Sequence, residues 1–274
     1  MKFWKMNGAG NDFIIINNMD EKIPHERLPE IVRTLCRRRF SIGADGFIVV
    51  DKPEKGGDYR MLFFNSDGSM SEMCGNGARC ICRYGFETGL AGQTQRVEAT
   101  AGLVTGRRVS EREYRIRLND PTTMLFDIEA EALGKTWRCD YVELGDPGLS
   151  HIALELPDLR DWNEKDLFAL GKALRWSKAF PKYPNVNFFV IEGENKLWER
   201  TWEVGVEDFT YACGTGSGSV VAALTKKGRL DGKDVHVYVT GGLLRIDVEK
   251  DGLFLTGPTN IVAKGEVFDE DLVL

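Results

Sequence analysis

Cys-Gly-x-Gly occurs twice in the chain, as Cys74-Gly75-Asn76-Gly77 and as Cys213-Gly214-Thr215-Gly216. Each copy closes a polar stretch and opens a run with helical patterning, and about half of the 274 residues separates the two. A free thiol has a pKa of about 8.5, and a helix N-terminus lowers it by favouring the thiolate. Glycines just after the cysteine let backbone N–H groups come close to a bound anion. One helix start could therefore hold a reactive sulfur and a carboxylate together. An amino acid carries its carboxylate next to the carbon whose proton must leave. Two such helix starts facing one another would let one thiolate take the α-proton while the other thiol returns a proton to the opposite face, inverting the centre. N–H groups aimed at the growing carboxylate charge would stabilise the carbanion. For either copy alone, a tight strand-to-helix turn with a small buried thiol is the simpler reading. The half-chain spacing of both copies favours chemistry.

The elements that would position these thiols can be read from the periodicity. Strands are expected at Phe13 to Asn17, Gly46 to Asp51 and Tyr59 to Asn65, and an amphipathic helix from about Glu26 to Arg38. Met73 to Thr88 reads as a helix closed by Gly89. Alternating strands follow at Arg96 to Ala99, Gly102 to Val109 and Tyr114 to Leu118. The turn Asn119-Asp120-Pro121 marks the expected domain boundary. The second half repeats this order, with strands at Thr136 to Leu144, His151 to Glu155, Asn185 to Ile191 and Lys196 to Glu203. A short helix is expected at Leu167 to Leu174, and a longer one from Cys213 to Lys227 ending at Gly228. Val235 to Val239, Leu243 to Val248 and Leu253 to Gly257 close the second half. Many short strands around one long helix per half predict an α+β protein rather than a doubly wound sheet. The domains are expected at 1–119 and 120–261, with 262–274 returning to the first.

Composition narrows the function classes. A net charge of −6 gives no general pull toward nucleic acid or anionic lipid, and Arg37-Arg38-Arg39 reads as a solvated helix end. The amino-terminal stretch MKFWKMNGAGNDF lacks a signal-peptide core, and no apolar run approaches the roughly 18–20 residues that span a bilayer. A cytoplasmic protein is expected, with its six cysteines as free thiols. Cys36, Cys80, Cys82 and Cys139 read as small buried residues, and Cys74, Cys80 and Cys82 lack the CxxC or histidine spacing of a zinc site. Gly214, Gly216 and Gly218 open a helix, which alone is a weak dinucleotide signal, and no glycine loop is followed by Lys-Ser/Thr as in a P-loop.

With both motifs in place the chain resembles the diaminopimelate epimerase family of cofactor-independent amino-acid racemases. The resemblance covers nearly the whole length. It rests on MNGAGNDF at 6–13, GADG at 43–46, FNSDGSMSEMCGNGARC at 64–80, NVNF at 185–188, GVEDFTYACGTG at 205–216 and LTGPTNIVAKGEVF at 255–268. It implies two pseudo-symmetric domains, each a β-rich sheet wrapped around a central helix, with the active site in the interdomain cleft. It implies Cys74 and Cys213 as the acid/base pair, working without pyridoxal phosphate or any metal. Asn11, Asn65 and Asn185 would contact the substrate, and Gly75-Asn76 and Gly214-Thr215 would donate backbone N–H groups to the α-carboxylate. Glu203 and His151 match polar residues that flank the reacting centre. Read without the resemblance, Asn11 and Asn65 are turn residues, His151 is a structural histidine and Glu203 a solvated carboxylate. The implied partner is a small amino acid, with neither nucleic acid nor membrane. A homodimer is also compatible with the resemblance.

Two departures fall at the specificity end. Where the family pattern has Tyr-Glu-Arg-Gly, this chain has Trp202-Glu203-Val204-Gly205, so Val204 replaces the arginine that would clamp the distal carboxylate of diaminopimelate. The Gly-Asn-Pro-His element becomes Gly145-Asp146-Pro147-Gly148-Leu149-Ser150-His151, which puts an acid at Asp146. These changes predict a racemase for an amino acid lacking that distal carboxylate, histidine among the candidates. Diaminopimelate epimerase proper is the alternative, with another Lys or Arg replacing the clamp. From other classes, a non-catalytic binding protein or a thiol redox protein would keep the fold. Two cysteines meeting across a cleft could form a disulfide, so the racemase reading expects activity only under reducing conditions.

Overall fold

The computed structural model describes residues 1–71, 74–268, 270 and 272, and the chain divides into two compact units. The first comprises Met1–Ile116 with Gly257–Leu274, the second Arg117–Thr256.

The first unit begins with a hairpin, β1 (Lys2–Gly8) and β2 (Asn11–Asn17), turning through Ala9 and Gly10 at φ 53° and 84°. Phe13, Ile14, Ile15 and Ile16 are all buried, the run expected of a strand covered on both faces. On one face Ile14 and Ile16 pack with the apolar stripe of α2 (Leu28–Leu35), made of Leu28, Ile31, Val32 and Leu35; a short turn of helix, α1 (Asn18–Glu21), precedes it. α2 is shorter than the expected span. A 3₁₀ turn at His25–Arg27 takes its first residues. At its end the chain folds back, and the amides of Gly43 and Ala44 cap the carbonyls of Leu35 and Cys36. β3 (Gly46–Asp51) lies parallel to β2, and β4 (Tyr59–Asn65) antiparallel to β3, with the two-residue β5 (Met70–Ser71) folded onto β4. The helix α3 (Gly75–Glu87) covers the face of Phe13 and Ile48 and is buried from Gly75 to Gly85. Met73, the expected first helical residue, lies outside the described residues. β6 (Thr94–Ala99), β7 (Gly102–Arg108) and β8 (Glu113–Leu118) complete the run.

The second unit repeats that connectivity. β9 (Pro121–Ala132) and β10 (Lys135–Leu144) are antiparallel, as are β10 and β11 (Leu149–Glu155). After α4 (Glu164–Arg175) come β12 (Asn185–Gly193), parallel to β11, and β13 (Lys196–Glu203). The short β14 (Asp208–Thr210) then leads into α5 (Gly214–Lys226). β15 (Val235–Val239), β16 (Gly242–Glu249) and β17 (Gly252–Pro258) follow, and β18 (Asn260–Glu266) returns to pair with β1. Thus β18 stands to β1 as β9 stands to β10. Along β13 the side chains alternate between two helices. Trp202 packs with Leu167, Leu170 and Leu174 of α4, and Thr201 and Glu199 face α5. In each unit a strand-rich sheet wraps one almost fully buried helix, the α+β arrangement expected from the sequence.

The sequence reading passed over five strands: β1, β9, β18 and the short β5 and β14. β9 carries an alternating signal, with Phe126, Ile128, Ala130 and Ala132 more buried than Asp127, Glu129 and Glu131. No helix among the described residues is long and apolar enough to cross a membrane.

Candidate active site

Each Cys-Gly-x-Gly motif sits at the same place in its unit, where a short strand ends and the buried helix begins. Cys74 and Cys213 are the N-cap residues of α3 and α5, both with extended backbone. Their carbonyls accept the first helical hydrogen bonds, from Ala78 at 2.8 Å and from Ser217 at 3.0 Å. The second glycine of each motif packs closely, most of all Gly216. A Cβ on Gly77 would lie 3.3 Å from Ile48, and one on Gly216 only 2.2 Å from the Asn187 side-chain oxygen. All six cysteines are free thiols, and Cys74 alone is not buried.

In the first unit the thiol meets an amide. Cys74 Sγ lies 3.4 Å from Asn11 Oδ1, which Asn76 Nδ2 also approaches at 3.4 Å. Asn11 in turn donates to Asp45 Oδ2 at 3.0 Å. Asp45 and Asp12 exchange amide-to-carboxylate hydrogen bonds of 2.9 and 3.1 Å, and Arg38 contacts both, at 2.6 Å for Asp12 and 2.8 Å for Asp45. Burial works against the Asp12 carboxylate, but Lys5 and Arg38 outweigh it and hold its pKa below the usual range. The sequence reading missed this group; Arg38 is exposed, as expected of a solvated helix end, and from the surface it pairs with both carboxylates. The signal was the Asp in each of the two motifs, GNDF and GADG. Asn65 is brought to the same end of the sheet, since Gly46 pairs with both Phe13 and Asn65. Its own amide donates to Ser69 Oγ at 3.0 Å within a tight turn.

In the second unit the thiol meets carboxylates and a hydroxyl. Cys213 Sγ lies 3.5 Å from Thr215 Oγ1. Burial pushes this thiol well above its ordinary value and the charge of Glu203 adds to the effect, against the Thr215 hydroxyl and the Gly216 amide. The expectation of a thiol made acidic by its helix therefore fails for Cys213, because desolvation exceeds the effect of the helix N-terminus. Burial also raises the pKa of Glu203. His151 and Asn185 are register partners on β11 and β12, and the same row of the sheet leads to Glu203. His151 is fully buried and neutral, its pKa depressed by burial to about 3. Its Nδ1 lies 3.3 Å from Asn187 Nδ2, which makes Nδ1 the acceptor and leaves the Nε2 proton without a partner. Asn185 is engaged with backbone at both ends, donating to Ser150 O at 3.2 Å and accepting from Val204 N at 2.7 Å. Val204 is exposed, and so is Asp146 on the turn after β10.

Sequence reasoning also missed Glu199. It is fully buried on β13, where Ser217 of the first turn of α5 donates to its Oε2; its Oε1 has no partner. Burial raises its pKa to about 8. Among the described residues, no three of His, Cys, Asp and Glu cluster as a metal would require.

The chain is similar to known proteins along most of its length. A sequence model of diaminopimelate epimerase matches residues 3–119 and 146–262. The diaminopimelate epimerase of Aquifex aeolicus is 36% identical, covering 99% of both chains. That of Archaeoglobus fulgidus is also 36% identical, over 96% of this chain and 95% of its own. Among solved structures, a probable proline racemase from Agrobacterium radiobacter superposes with a TM-score of 0.73 at 14% identity, covering 98% of this chain and 94% of the other. A hydroxyproline epimerase from Agrobacterium vitis gives 0.72 at 13% identity, covering 97% and 91%. At such identities these two likenesses establish the fold alone.

Proposed function

The chain belongs to the diaminopimelate epimerase family, a family of isomerases, and from that premise we propose that it inverts the α-carbon of an amino acid by two-base proton transfer. Cys74 and Cys213 are the acid/base pair, each serving as base toward one stereoisomer. The observation that carries this reading is the equivalence of the two thiols: each is the N-cap of a buried helix entered through Gly-x-Gly, in two units of the same connectivity. The first-turn N–H groups of Gly75-Asn76 and Gly214-Thr215 would receive the α-carboxylate, where the helix dipole favours negative charge. Asn11, held by Asp45, would keep Cys74 aimed and share the load of substrate contact with Asn65. His151, Asn185 and Glu203 form the polar wall beside Cys213. Because Cys213 lies well above its ordinary pKa, it rests as the thiol and is poised to deliver a proton.

Two readings of the side chain each have support. The curated relatives named above are diaminopimelate epimerases, which favours diaminopimelate. Val204 and the exposed Asp146 favour an amino acid without a distal carboxylate, such as histidine. The test is α-proton exchange of single enantiomers in deuterated water, followed by NMR. Cys74→Ser and Cys213→Ser should each reduce exchange by roughly 100-fold or more. Exchange at the parent rate in both variants would refute the acid/base assignment. Rapid exchange of diaminopimelate with none in histidine or other amino acids would end the altered-substrate reading.

A further inference from the structure

Arg175, the last residue of α4, is a buried cation whose hydrogen-bonding capacity is largely unused. Its side chain is 8% exposed, yet neither Nε nor Nη1 makes a hydrogen bond. The carboxylate of Glu207 is loosely placed at 3.8 Å from Nε and is itself half exposed. Stacking fixes the guanidinium in position. Its carbon lies 4.7 Å from the Trp176 ring centre and 5.7 Å from that of Tyr183, and those rings are 4.9 Å apart. A desolvated guanidinium with orphaned N–H groups is costly to fold, which makes a place for an incoming acceptor.

The position of Arg175 supplies the meaning. Glu207 closes the turn that begins at Glu203 and carries Val204: its amide donates to Glu203 O at 2.8 Å, and its carboxylate accepts from Gly205 N at 3.3 Å. Arg175 therefore approaches, from α4, the same turn on which an arginine at 204 would sit. Glu203 at the head of that turn is the carboxylate that acts on Cys213. The reacting end and the orphaned cation are thus joined by one short segment of β13 and its following turn.

We propose that Arg175 is the specificity-determining clamp of this chain, binding a distal substrate carboxylate in place of the arginine absent at Val204. This rests on the α-carbon epimerase reading and names its substrate class, a diamino dicarboxylic acid such as diaminopimelate. A planar fork suits a carboxylate, which can take two parallel hydrogen bonds and displace the loose Glu207 contact. A buried cation at this place repels a cationic side chain.

The experiment compares LL-diaminopimelate with lysine, which is the same molecule without the distal carboxylate, by α-proton exchange in deuterated water. The parent should prefer diaminopimelate. Arg175→Met should lower kcat/KM for diaminopimelate by roughly 10- to 150-fold and leave the slower lysine exchange unchanged or faster. Arg175→Lys should fall between. Adding Val204→Arg to Arg175→Met should restore much of the loss, which a merely structural role for Arg175 would not allow. Equal losses on both substrates, parent-like diaminopimelate exchange in Arg175→Met, or a parent that handles lysine as well as diaminopimelate would each overturn the clamp. Absence of exchange in every amino acid tried would instead overturn the epimerase reading beneath it.

Discussion

Replacing Glu199 with Gln should make the protein more stable at pH 8 and flatten its stability profile. Glu199 has no exposed surface, one oxygen bonded to Ser217 and the other unpartnered. Burial therefore holds it neutral, with a pKa raised from 4.5 to about 8. In the unfolded chain the group ionises near its ordinary value. Between those two limits the folded state holds one proton more than the unfolded state, so stability must fall as pH rises. The slope is about 1.4 kcal/mol per pH unit, and the whole interval is worth roughly 5 kcal/mol as an upper bound. Glutamine keeps the size and an acceptor for Ser217 but cannot ionise. The assay is urea unfolding of parent and Glu199→Gln at several pH values from 5 to 8.5. The difference between the two should grow in favour of the variant as pH rises, while groups common to both cancel. Parallel profiles would refute the reasoning, since they would mean that Glu199 ionises alike in the folded and unfolded chains.

His151 works in the opposite direction. Its pKa is depressed to about 3, so it stabilises the fold above its unfolded value of 6.5 and loses that contribution as pH falls below it; His151→Gln should be less acid-sensitive than the parent in thermal melts between pH 6.5 and 4. Gly216→Ala forces a methyl group to within 2.2 Å of the Asn187 side chain and should cost about 1–3 kcal/mol in urea unfolding, with loss of exchange activity. Asp45→Ala removes the acceptor that holds Asn11. It should lower exchange about tenfold, and combining it with Asn11→Ala should give a further loss smaller by about 1 kcal/mol than the separate effects predict.

Strongly patterned elements were readable in advance because their burial repeats in the sequence. β13 and β15 have the boundaries expected, and α2 shows the i, i+3, i+4, i+7 stripe. β9 was missed although its second half alternates, because Pro121 and two threonines at its start look like the continuation of a turn. β1 buries Met6 and Gly8 alone and is paired on both sides, with β2 and with β18, the latter more than 250 residues along the chain. Such pairing leaves no local mark. The site divides in the same way. The cysteines and glycines were legible because a close helix entry permits few residues. Asp45, Glu199 and Arg175 were not, because each gets its meaning from a neighbour distant in sequence. Ser217 is 18 residues from Glu199, and Asn11 is 34 residues from Asp45.

The two units share one connectivity, yet they treat their thiols differently, and that difference bears on the chemistry. Cys74 is partly exposed and lies against a neutral amide oxygen, itself steadied by a charged Asp45–Arg38 pair. Cys213 is buried, which raises its pKa, and the charge of Glu203 adds to the effect. A negative charge forming on Cys213 would therefore meet resistance unless a proton or a substrate cation compensated it. If the substrate's ammonium group supplies that compensation, ionisation of Cys213 is tied to occupancy, and the free protein holds this thiol inert. Alkylation gives the measurement: iodoacetamide should modify Cys74 well before Cys213 in the unliganded protein, read by peptide mass spectrometry. Equal rates at the two residues would show that desolvation does not govern the Cys213 thiol, and the proton-donor role given to it would lose its physical basis.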